Sequence, residues 1–433
     1  MGHPDGVLDD VALRVGRALL AGDLFEEEDL VGVVEQATSG SSSEMREGSK
    51  RLFRDIVEPL ADRFEPELSQ RYLSFFGLLI SRLHSRPEFK RFNDRLALSL
   101  AEENLALGWP KEVSRCLVLS RVTLGADVAV TSVVLDGLKK AYPDASLTLA
   151  CGEKTAALFQ GDDRISFLPI EYARVGTLLE RLEAWVDLLE QIEEWAGGQL
   201  SDCLVVDPDS RLTQLGLLPS APAGMSYVSF DSRAYGGDGS QSISELTSDW
   251  IREMFEVVGA RPFVALAGNE LAAGRELRVD SERPMATLNW GFGGNDSKRV
   301  SPQFETDVVL ELLRREWRVV LDKGFGGAES RAAAATAEAA ASEGLEGLSL
   351  FEGSLSGFAG VIAASDLFVG YDSGAGHIAA ALGVPGVDVF RGAVSERMRQ
   401  RWSPWGKQPA RVVDVPADQA ADETLARVVE LLP

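Results

Sequence analysis

The chain has 433 residues, of which 45% are hydrophobic, and its 67 acidic residues outweigh 43 basic ones to give a formal net charge of −24. This length and composition predict two or three globular domains. So large a negative charge argues against binding of nucleic acid or of an anionic lipid surface through general electrostatics.

The cysteines and the N-terminus indicate the cellular compartment. Cys116, Cys151 and Cys203 lie in or beside apolar, strand-like stretches. An odd number of cysteines without metal-ligand spacing is typical of buried thiols in a reducing compartment. No stretch approaches the roughly 18 apolar residues of a membrane span, and the acidic N-terminus lacks a signal-peptide pattern. We therefore expect a cytoplasmic protein without a transmembrane segment.

Residues 1–110 are predicted to form a helical domain. Residues 7–20 show helical spacing of apolar side chains, and 68–83 form an apolar stripe followed by Arg86, Lys90 and Arg91. A basic, amphipathic stretch can meet an acidic partner or a membrane surface, but it is more often core with charges on a solvated face. We expect this domain to contact a protein partner or another subunit.

The first predicted strand covers residues 113–119, and Arg121 and Asp127 follow it closely. A helix is predicted from residue 130 to residue 142. A carboxylate at the carboxyl end of a parallel strand is well placed to act as a general base. The alternative is that Asp127 is a plain cap of the helix.

A second polar strand end follows residues 204–206, with Asp207, Asp209 and Arg211. Two aspartates separated by one residue after a strand can hold a divalent metal beside a sugar diphosphate, although Pro208 favours an ordinary turn. Arg211 either contacts an anionic ligand or is an exposed structural residue. Residues 220–242 are predicted to be a Gly- and Ser-rich loop.

A second α/β domain is predicted to open with the strand that ends at Asn289. Gly291 and Gly293 follow within a glycine-rich loop, and then Lys298 precedes a helix. Such a loop turns backbone N–H groups toward a diphosphate, and Lys298 adds a point charge. Further on, Glu329 begins an Ala-rich helix, where a carboxylate also favours the helix dipole.

Residues 365–392 give the strongest pattern, a strand, a tight turn, a helix and a second strand. Asp372 ends the first strand, Ser373 and Gly374 form the turn, and His377 lies in the first helical turn. The unpaired N–H groups at such a helix start form a phosphate site, and open α/β sheets bind ligands at this edge. The alternative is a capped helix with a packed histidine.

These residues carry a resemblance to a known family. Asp372-Ser373-Gly374-x-x-His377, followed by Ala379 to Leu382 and by Arg401-Trp402-x-Pro404-x-Gly406, resembles the heptosyltransferases of glycosyltransferase family 9. Gly125 with Asp127, Lys298 and Glu329 match in the same order. The resemblance implies an α/β fold of the GT-B type, with two Rossmann-like domains, a cleft between them, and an extra N-terminal all-α domain.

The predicted boundaries follow from this resemblance. The helical domain takes residues 1–110, the acceptor-side Rossmann-like domain 111–262, and a linker 263–283. The nucleotide-sugar-binding domain takes residues 284–412, and residues 413–433 form a C-terminal helix that packs back on the acceptor-side domain.

The resemblance also implies a role for each matched residue. Asp127 would be the catalytic base of an inverting, metal-independent transfer, with Arg121 and Arg211 on the acceptor side. The other positions would bind the donor: Asn289, Gly291, Gly293, Lys298, Glu329, Asp372, Ser373, Gly374 and His377.

The leading donor is ADP-heptose, because it is the frequent donor in that family, and no resident cofactor is expected. One alternative is a GT-B enzyme that transfers, or isomerises, another nucleotide sugar. A second alternative is a catalytically silent GT-B module that binds a protein partner through residues 1–110. The acceptor, a glycan, glycolipid, protein or small molecule, is left open.

Overall fold

The computed structural model describes residues 10–103, 112–198, 200–222, 224–278, 282–291, 296–324 and 326–433. The chain divides into two compact units. The first comprises Met1–Val122, Ala150–Gly152 and Leu168–Gly239, and the second Thr123–Leu149, Glu153–Phe167 and Ser240–Pro433. The domain boundaries given above remain predictions.

The described part of residues 1–110 is helical, as predicted. Ser41 and Glu44 form a capping box that starts the third helix, and a π-helical segment, Leu52–Val57, joins it to the fourth. The helices are α1 (Val11–Ala21), α2 (Glu27–Thr38), α3 (Ser42–Arg51), α4 (Glu58–Ala61), α5 (Pro66–Leu83) and α6 (Lys90–Glu103).

The first sheet has five strands in the order β3-β2-β1-β4-β5. They are β1 (Arg115–Leu119), β2 (Ser146–Cys151), β3 (Ile165–Pro169), β4 (Cys203–Asp207) and β5 (Ser226–Ser229). β4 pairs in parallel with both β1 and β5. The prediction of a loop over 220–242 is therefore wrong for β5, whose alternating buried residues Ser226 and Val228 join the sheet edge.

The helices that accompany these strands are α7 (Leu124–Ala126), α8 (Ser132–Ala141), α9 (Glu153–Ala157), α10 (Leu178–Ala196) and α11 (Ile243–Phe255). A π-helical turn, Asp127–Thr131, makes α7 and α8 one continuous helix. Because Thr123 is the residue that precedes this helix, Asp127 lies inside it. The alternative in which Asp127 caps the helix is wrong.

The second sheet has six strands, all parallel, in the order β11-β10-β9-β6-β7-β8. They are β6 (Met285–Asn289), β7 (Arg318–Asp322), β8 (Leu348–Phe351), β9 (Leu367–Tyr371), β10 (Gly386–Arg391) and β11 (Arg411–Val415). The helices around them are α12 (Gly268–Glu276), α13 (Pro302–Arg314), α14 (Gly327–Ser342), α15 (Leu355–Ala363), α16 (Gly374–Leu382), α17 (Glu396–Arg401) and α18 (Ala421–Leu431).

Two segments of the second unit differ from expectation. Helix α12 lies in the predicted linker. Its Gly274 packs against the backbone of α15, since a Cβ on Gly274 would come 1.9 Å from the carbonyl oxygen of Gly360. The last helix, α18, was expected on the acceptor-side domain. Instead, Val428 and Leu432 join the core of the second sheet, and Arg315 of α13's C-terminus donates to the carbonyl of Leu432.

The helical region shares its core with the first sheet's longest helix. Trp185 and Leu189 of α10 belong to the same buried cluster as Tyr72 and Phe76 of α5. Burial of this apolar surface stabilises the contact between the two. No helix within the described ranges is both long enough and apolar enough to cross a membrane.

Candidate donor site

A cavity of about 710 Å³ lies at the carboxyl ends of β6 and β7 in the second unit. Its polar wall comes from strand ends and helix starts, where parallel sheets present ligand-binding groups. Its apolar wall includes Phe351 and Phe358, whose ring centroids are 5.4 Å apart. Predicted donor-site residues that line it are Asn289, Gly291, Glu329, Ser373 and Gly374.

Lys298 and Asp372 form an ion pair beside this cavity. Lys298 Nζ donates to Asp372 Oδ2 at 2.6 Å and to its carbonyl oxygen at 3.2 Å. Both side chains keep some exposure, 25% and 14%. The structure thus brings these two predicted residues together and leaves the ammonium group accessible to an anion.

Asp322, at the end of β7, is a cavity residue that the sequence analysis missed. Asn289 Nδ2 donates to Asp322 Oδ2 at 2.7 Å, while Asn289 Oδ1 accepts from the N–H of Gly291 at 3.2 Å. Burial, opposed by hydrogen bonds and helped by the nearby charge of Glu329, raises the pKa of Asp322. Its position directly after an apolar strand, like that of Asp372, was the signal that could have identified it.

Glu329 lies at the third position of α14, inside the cavity wall. Its Oε2 accepts from the N–H of Gly326 at 3.2 Å. Gly324 has a φ of +66°, and a Cβ there would come 2.2 Å from the same carboxylate oxygen. The turn that presents Glu329 therefore requires glycine at position 324.

The start of α16 is open toward this region. Its N-cap residue, Ser373, makes no side-chain capping bond, and its hydroxyl lies 3.5 Å from Asn289 Oδ1 instead. The backbone of the α7 helix approaches closely, since a Cβ on Gly374 would lie 3.2 Å from the nitrogen of Gly125. Glycine at both positions permits this close approach of the two backbones.

His377 is buried in the first turn of α16, with 3% of its surface exposed. Its ring meets Trp402 edge to face, with centroids 5.9 Å apart. Burial, with a smaller opposing effect from Asp372, lowers its pKa to about 4. The imidazole is therefore neutral at pH 7, and its Nδ1 has no hydrogen-bond partner among the described residues.

A second buried acid, Asp388 of β10, was also missed. It is 1% exposed, and neither carboxyl oxygen has a hydrogen-bond partner within the described ranges. Burial first, and then the charge of Asp372, raise its pKa well above the ordinary value. It stands in the middle of an apolar strand, so only its polarity distinguished it in the sequence.

Asp127 lies in the second unit but does not line the cavity. It is fully buried, and its two carboxylate oxygens accept from Thr131 Oγ1 at 2.9 Å and from Thr155 Oγ1 at 2.8 Å. The π-helical turn that begins at Asp127 holds it between these two hydroxyls. Gly293 lies outside the described residues.

The two predicted arginines belong to the first unit. Arg121 is buried, and its Nη2 lies 3.9 Å from Asp209 Oδ2. The side chain of Arg211 keeps only 14% exposure, so its interpretation as an exposed structural residue is wrong. Asp207, the other aspartate of the pair, accepts from the N–H of Ser210 at 2.7 Å and from the hydroxyl of Thr213 at 2.5 Å.

The sequence around the candidate donor site matches a known family over about a third of the chain. Residues 272–424 match the model of glycosyltransferase family 9 (heptosyltransferase). The resemblance predicted from the motifs is thereby confirmed over this segment, which contains Asn289, Lys298, Glu329 and residues 372–377. No curated protein sequence matches the chain.

Solved structures of this family share the fold. A glycosyltransferase family 9 protein from Veillonella parvula DSM 2008 matches with a TM-score of 0.55 and 16% identity over 71% of this chain and 87% of its own. E. coli ADP-heptose LPS heptosyltransferase II matches with a TM-score of 0.52 and 18% identity, over 73% of this chain and 98% of its own. E. coli heptosyltransferase WaaC with ADP matches with a TM-score of 0.50 and 16% identity, over 73% of this chain and 100% of its own. The predicted α/β fold of GT-B type is confirmed.

Proposed function

We propose that the chain is a glycosyltransferase that moves a sugar from a nucleoside-diphosphate sugar to an acceptor hydroxyl. The observation that carries this proposal is the uncapped start of α16 near the partly exposed ammonium group of Lys298, next to a nucleotide-sized cavity. Both features attract a diphosphate. We further propose that it works in the cytoplasm and needs no resident cofactor.

The cavity suits a nucleoside. Its carboxylates, Glu329 and Asp322, would accept hydrogen bonds from ribose hydroxyls, and the face of Phe351 would pack against the base. We propose ADP-heptose as the donor. Support comes from the match to the heptosyltransferase family model and from the E. coli structure WaaC, which was solved with ADP.

The proposed reaction is a single displacement with inversion at the anomeric carbon. Asp127 takes the proton of the acceptor hydroxyl, whose oxygen attacks the anomeric carbon. The bond from that carbon to the diphosphate oxygen breaks, and the nucleoside diphosphate leaves with the electron pair. Asp372 would hold hydroxyls of the donor sugar.

The protein's own groups would stabilise the departing charge without a metal. Lys298 supplies a full positive charge, and the N–H groups of Ser373 and Gly374 supply oriented dipoles at the start of α16. His377, neutral at pH 7, would assist there as a hydrogen-bond donor. Hydrogen bonds inside the first unit already engage Asp207, the alternative metal position.

The test is a calorimetric titration of the full-length protein with ADP, UDP, GDP and CDP, each with and without Mg²⁺. We expect micromolar binding of ADP alone, unchanged by Mg²⁺, followed by sugar release from ADP-heptose when acceptors are supplied. Preference for another nucleobase would change the proposed donor, but the protein would still be proposed to be a glycosyltransferase. No binding of any of the four would overturn the proposal.

One observation favours a catalytically silent module instead. Asp127 is fully buried, and both carboxylate oxygens are engaged by threonines. Replacement by Asn discriminates the two functions. An active transferase should lose about 10²- to 10⁴-fold in kcat and retain ADP affinity. Unchanged transfer by the Asp127→Asn variant would remove Asp127 as the base, and absent transfer by the wild type would favour the silent module.

A further inference from the structure

Two buried arginines and one partly buried arginine of the first unit lie near two aspartates. The side chains of Arg121, Arg233 and Arg211 keep only 2%, 6% and 14% exposure. Arg233 Nη1 donates to Asp209 Oδ2 at 2.6 Å, and this carboxylate is itself 2% exposed. Arg121 and Arg233 are thus buried beside the well-bonded Asp209, and the second aspartate, Asp62, lies near Arg211. The acids Glu58 and Asp231 also act on Arg211 and Arg233.

Asp62 comes from the helical region, in the turn that follows α4. Its Oδ1 lies 3.6 Å from Arg211 Nη2 and 3.9 Å from Arg233 Nη2. Both separations exceed hydrogen-bond length. The Asp62 side chain also keeps 34% exposure, so it marks the end of the cluster that meets solvent. Asp62 is therefore a loosely held partner for two arginines.

The arginines have unused donors. Arg211 Nη1 and Arg233 Nε are buried and have no hydrogen-bond partner in the part of the chain that the structure describes. Buried donors are nearly always paired, and burying a charge without full compensation is unfavourable. Burial, together with the nearby charge of Arg233, lowers the pKa of Arg121 to about 9. These observations indicate that the cluster can accept a further anion.

We propose that Arg211 and Arg233 bind a carboxylate or phosphate group of the acceptor, and that Asp62 occupies this anion site until the ligand displaces it. A planar guanidinium binds either group through two parallel hydrogen bonds, which Asp62 does not make. The identification of the ligand as the acceptor rests on the proposed function. The anion site itself does not.

The helical region also contacts the turn that carries Arg211. The hydroxyl of Tyr72 donates to Gln214 Oε1 at 3.3 Å, and Gln214 Nε2 donates to the carbonyl oxygen of Arg211 at 3.0 Å. The same region that supplies the competing carboxylate therefore also fixes the turn that carries Arg211. Residues 1–110 would in this way select acceptors that carry a negatively charged group.

The experiment measures anion binding without any sugar transfer. The full-length protein is titrated with sodium phosphate and with sodium acetate, at an ionic strength held constant with sodium chloride. The Asp62→Asn variant should bind the preferred anion about fivefold more tightly than the wild type, because an internal competitor is lost. Preference for phosphate or for acetate identifies which group the acceptor carries.

Glu67→Gln is the matched control, since it removes an equal charge from an 86% exposed carboxylate of the same helical region. It should bind like the wild type. The double variant Asp62→Asn/Arg211→Gln should lose the gain, and it breaks no side-chain hydrogen bond of Arg211 among the described residues. Equal binding by Asp62→Asn and Glu67→Gln, or a gain retained in the double variant, would overturn the proposal. Failure here would leave ADP binding unaffected, so the two proposals fail separately.

Discussion

Gly376 of α16 lies directly against the carboxyl group of Asp388 in β10. A Cβ at position 376 would come 2.5 Å from Asp388 Oδ2 and 2.7 Å from Oδ1. The acid is thus enclosed beneath α16, the helix whose start we propose to bind the diphosphate. Asp372 and Lys298 are the charged groups that influence it.

Replacement of Asp388 by Asn should remove a pH dependence of stability. Burial raises the pKa of this acid, so the folded protein keeps a proton that the unfolded chain releases above pH ~3.8. The free energy of unfolding of the wild type should therefore fall as pH rises above that value, and the advantage of Asp388→Asn should grow. Denaturant titrations across pH measure this. Asp418→Asn, at an exposed site, controls for the loss of one carboxylate. Parallel curves for Asp388→Asn and wild type would refute the prediction.

Replacement of Gly376 by Ala should destabilise the protein by about 1–3 kcal/mol, because the new methyl group overlaps the carboxyl of Asp388. Removal of that carboxyl in the double variant Gly376→Ala/Asp388→Ala should recover part of the loss. Gly268→Ala, where a Cβ would meet nothing within 4 Å, is the matched control. Thermal and denaturant unfolding measure all three. Additive effects of the two substitutions would contradict the contact.

His377 should make the folded state sensitive to acid. Burial lowers its pKa from 6.5 to about 4, so between these pH values the unfolded chain binds a proton at this histidine and the folded protein does not. Stability is fully present above pH 6.5 and is lost as pH falls toward 4, by roughly 3 kcal/mol. His377→Asn should lack this loss, whereas His84→Asn, at an exposed site, should retain it. An unchanged pH profile in His377→Asn would show that another group is responsible.

Replacement of Lys298 by Met should weaken ADP binding about 10- to 100-fold, because a charge-assisted contact with the diphosphate is lost and Asp372 keeps its negative charge nearby. Calorimetry measures the affinity. Lys50→Met, at an exposed lysine of α3, controls for the change in net charge. Equal affinities for the two variants would exclude Lys298 from the diphosphate site.

The sequence alone located the strand ends and helix starts that form the candidate donor site. Asp372, Ser373 and Lys298 lie where strand ends and helix starts come directly from the order of apolar and polar residues. Asp322 and Asp388 were missed because Asp322 ends an apolar strand and Asp388 interrupts one. In the sequence, a single acid at such a position cannot be distinguished from a solvent-facing residue. Short strand β5 lacked a strong apolar run, and its pairing with β4 decided its conformation.

Long-range contacts were beyond sequence patterns. Nothing local to Asp62 indicates that it meets Arg211 and Arg233, which follow it by many residues. Likewise, α18 packs on the second sheet because β11 belongs to that sheet and only a short connection joins β11 to α18. Such partners are fixed by tertiary packing, which a pattern of hydrophobic residues does not specify.

The π-helical turn at Asp127–Thr131 directly follows Ala126, the residue between Gly125 and Asp127. The N–H of Ser132 donates to the carbonyl of Asp127, five residues earlier, so this turn contains one residue more than an α-helical turn. The widened turn absorbs an added residue locally and does not rotate all later side chains by about 100°. Insertions at this point can thus be inherited without a change in how the rest of the helix packs.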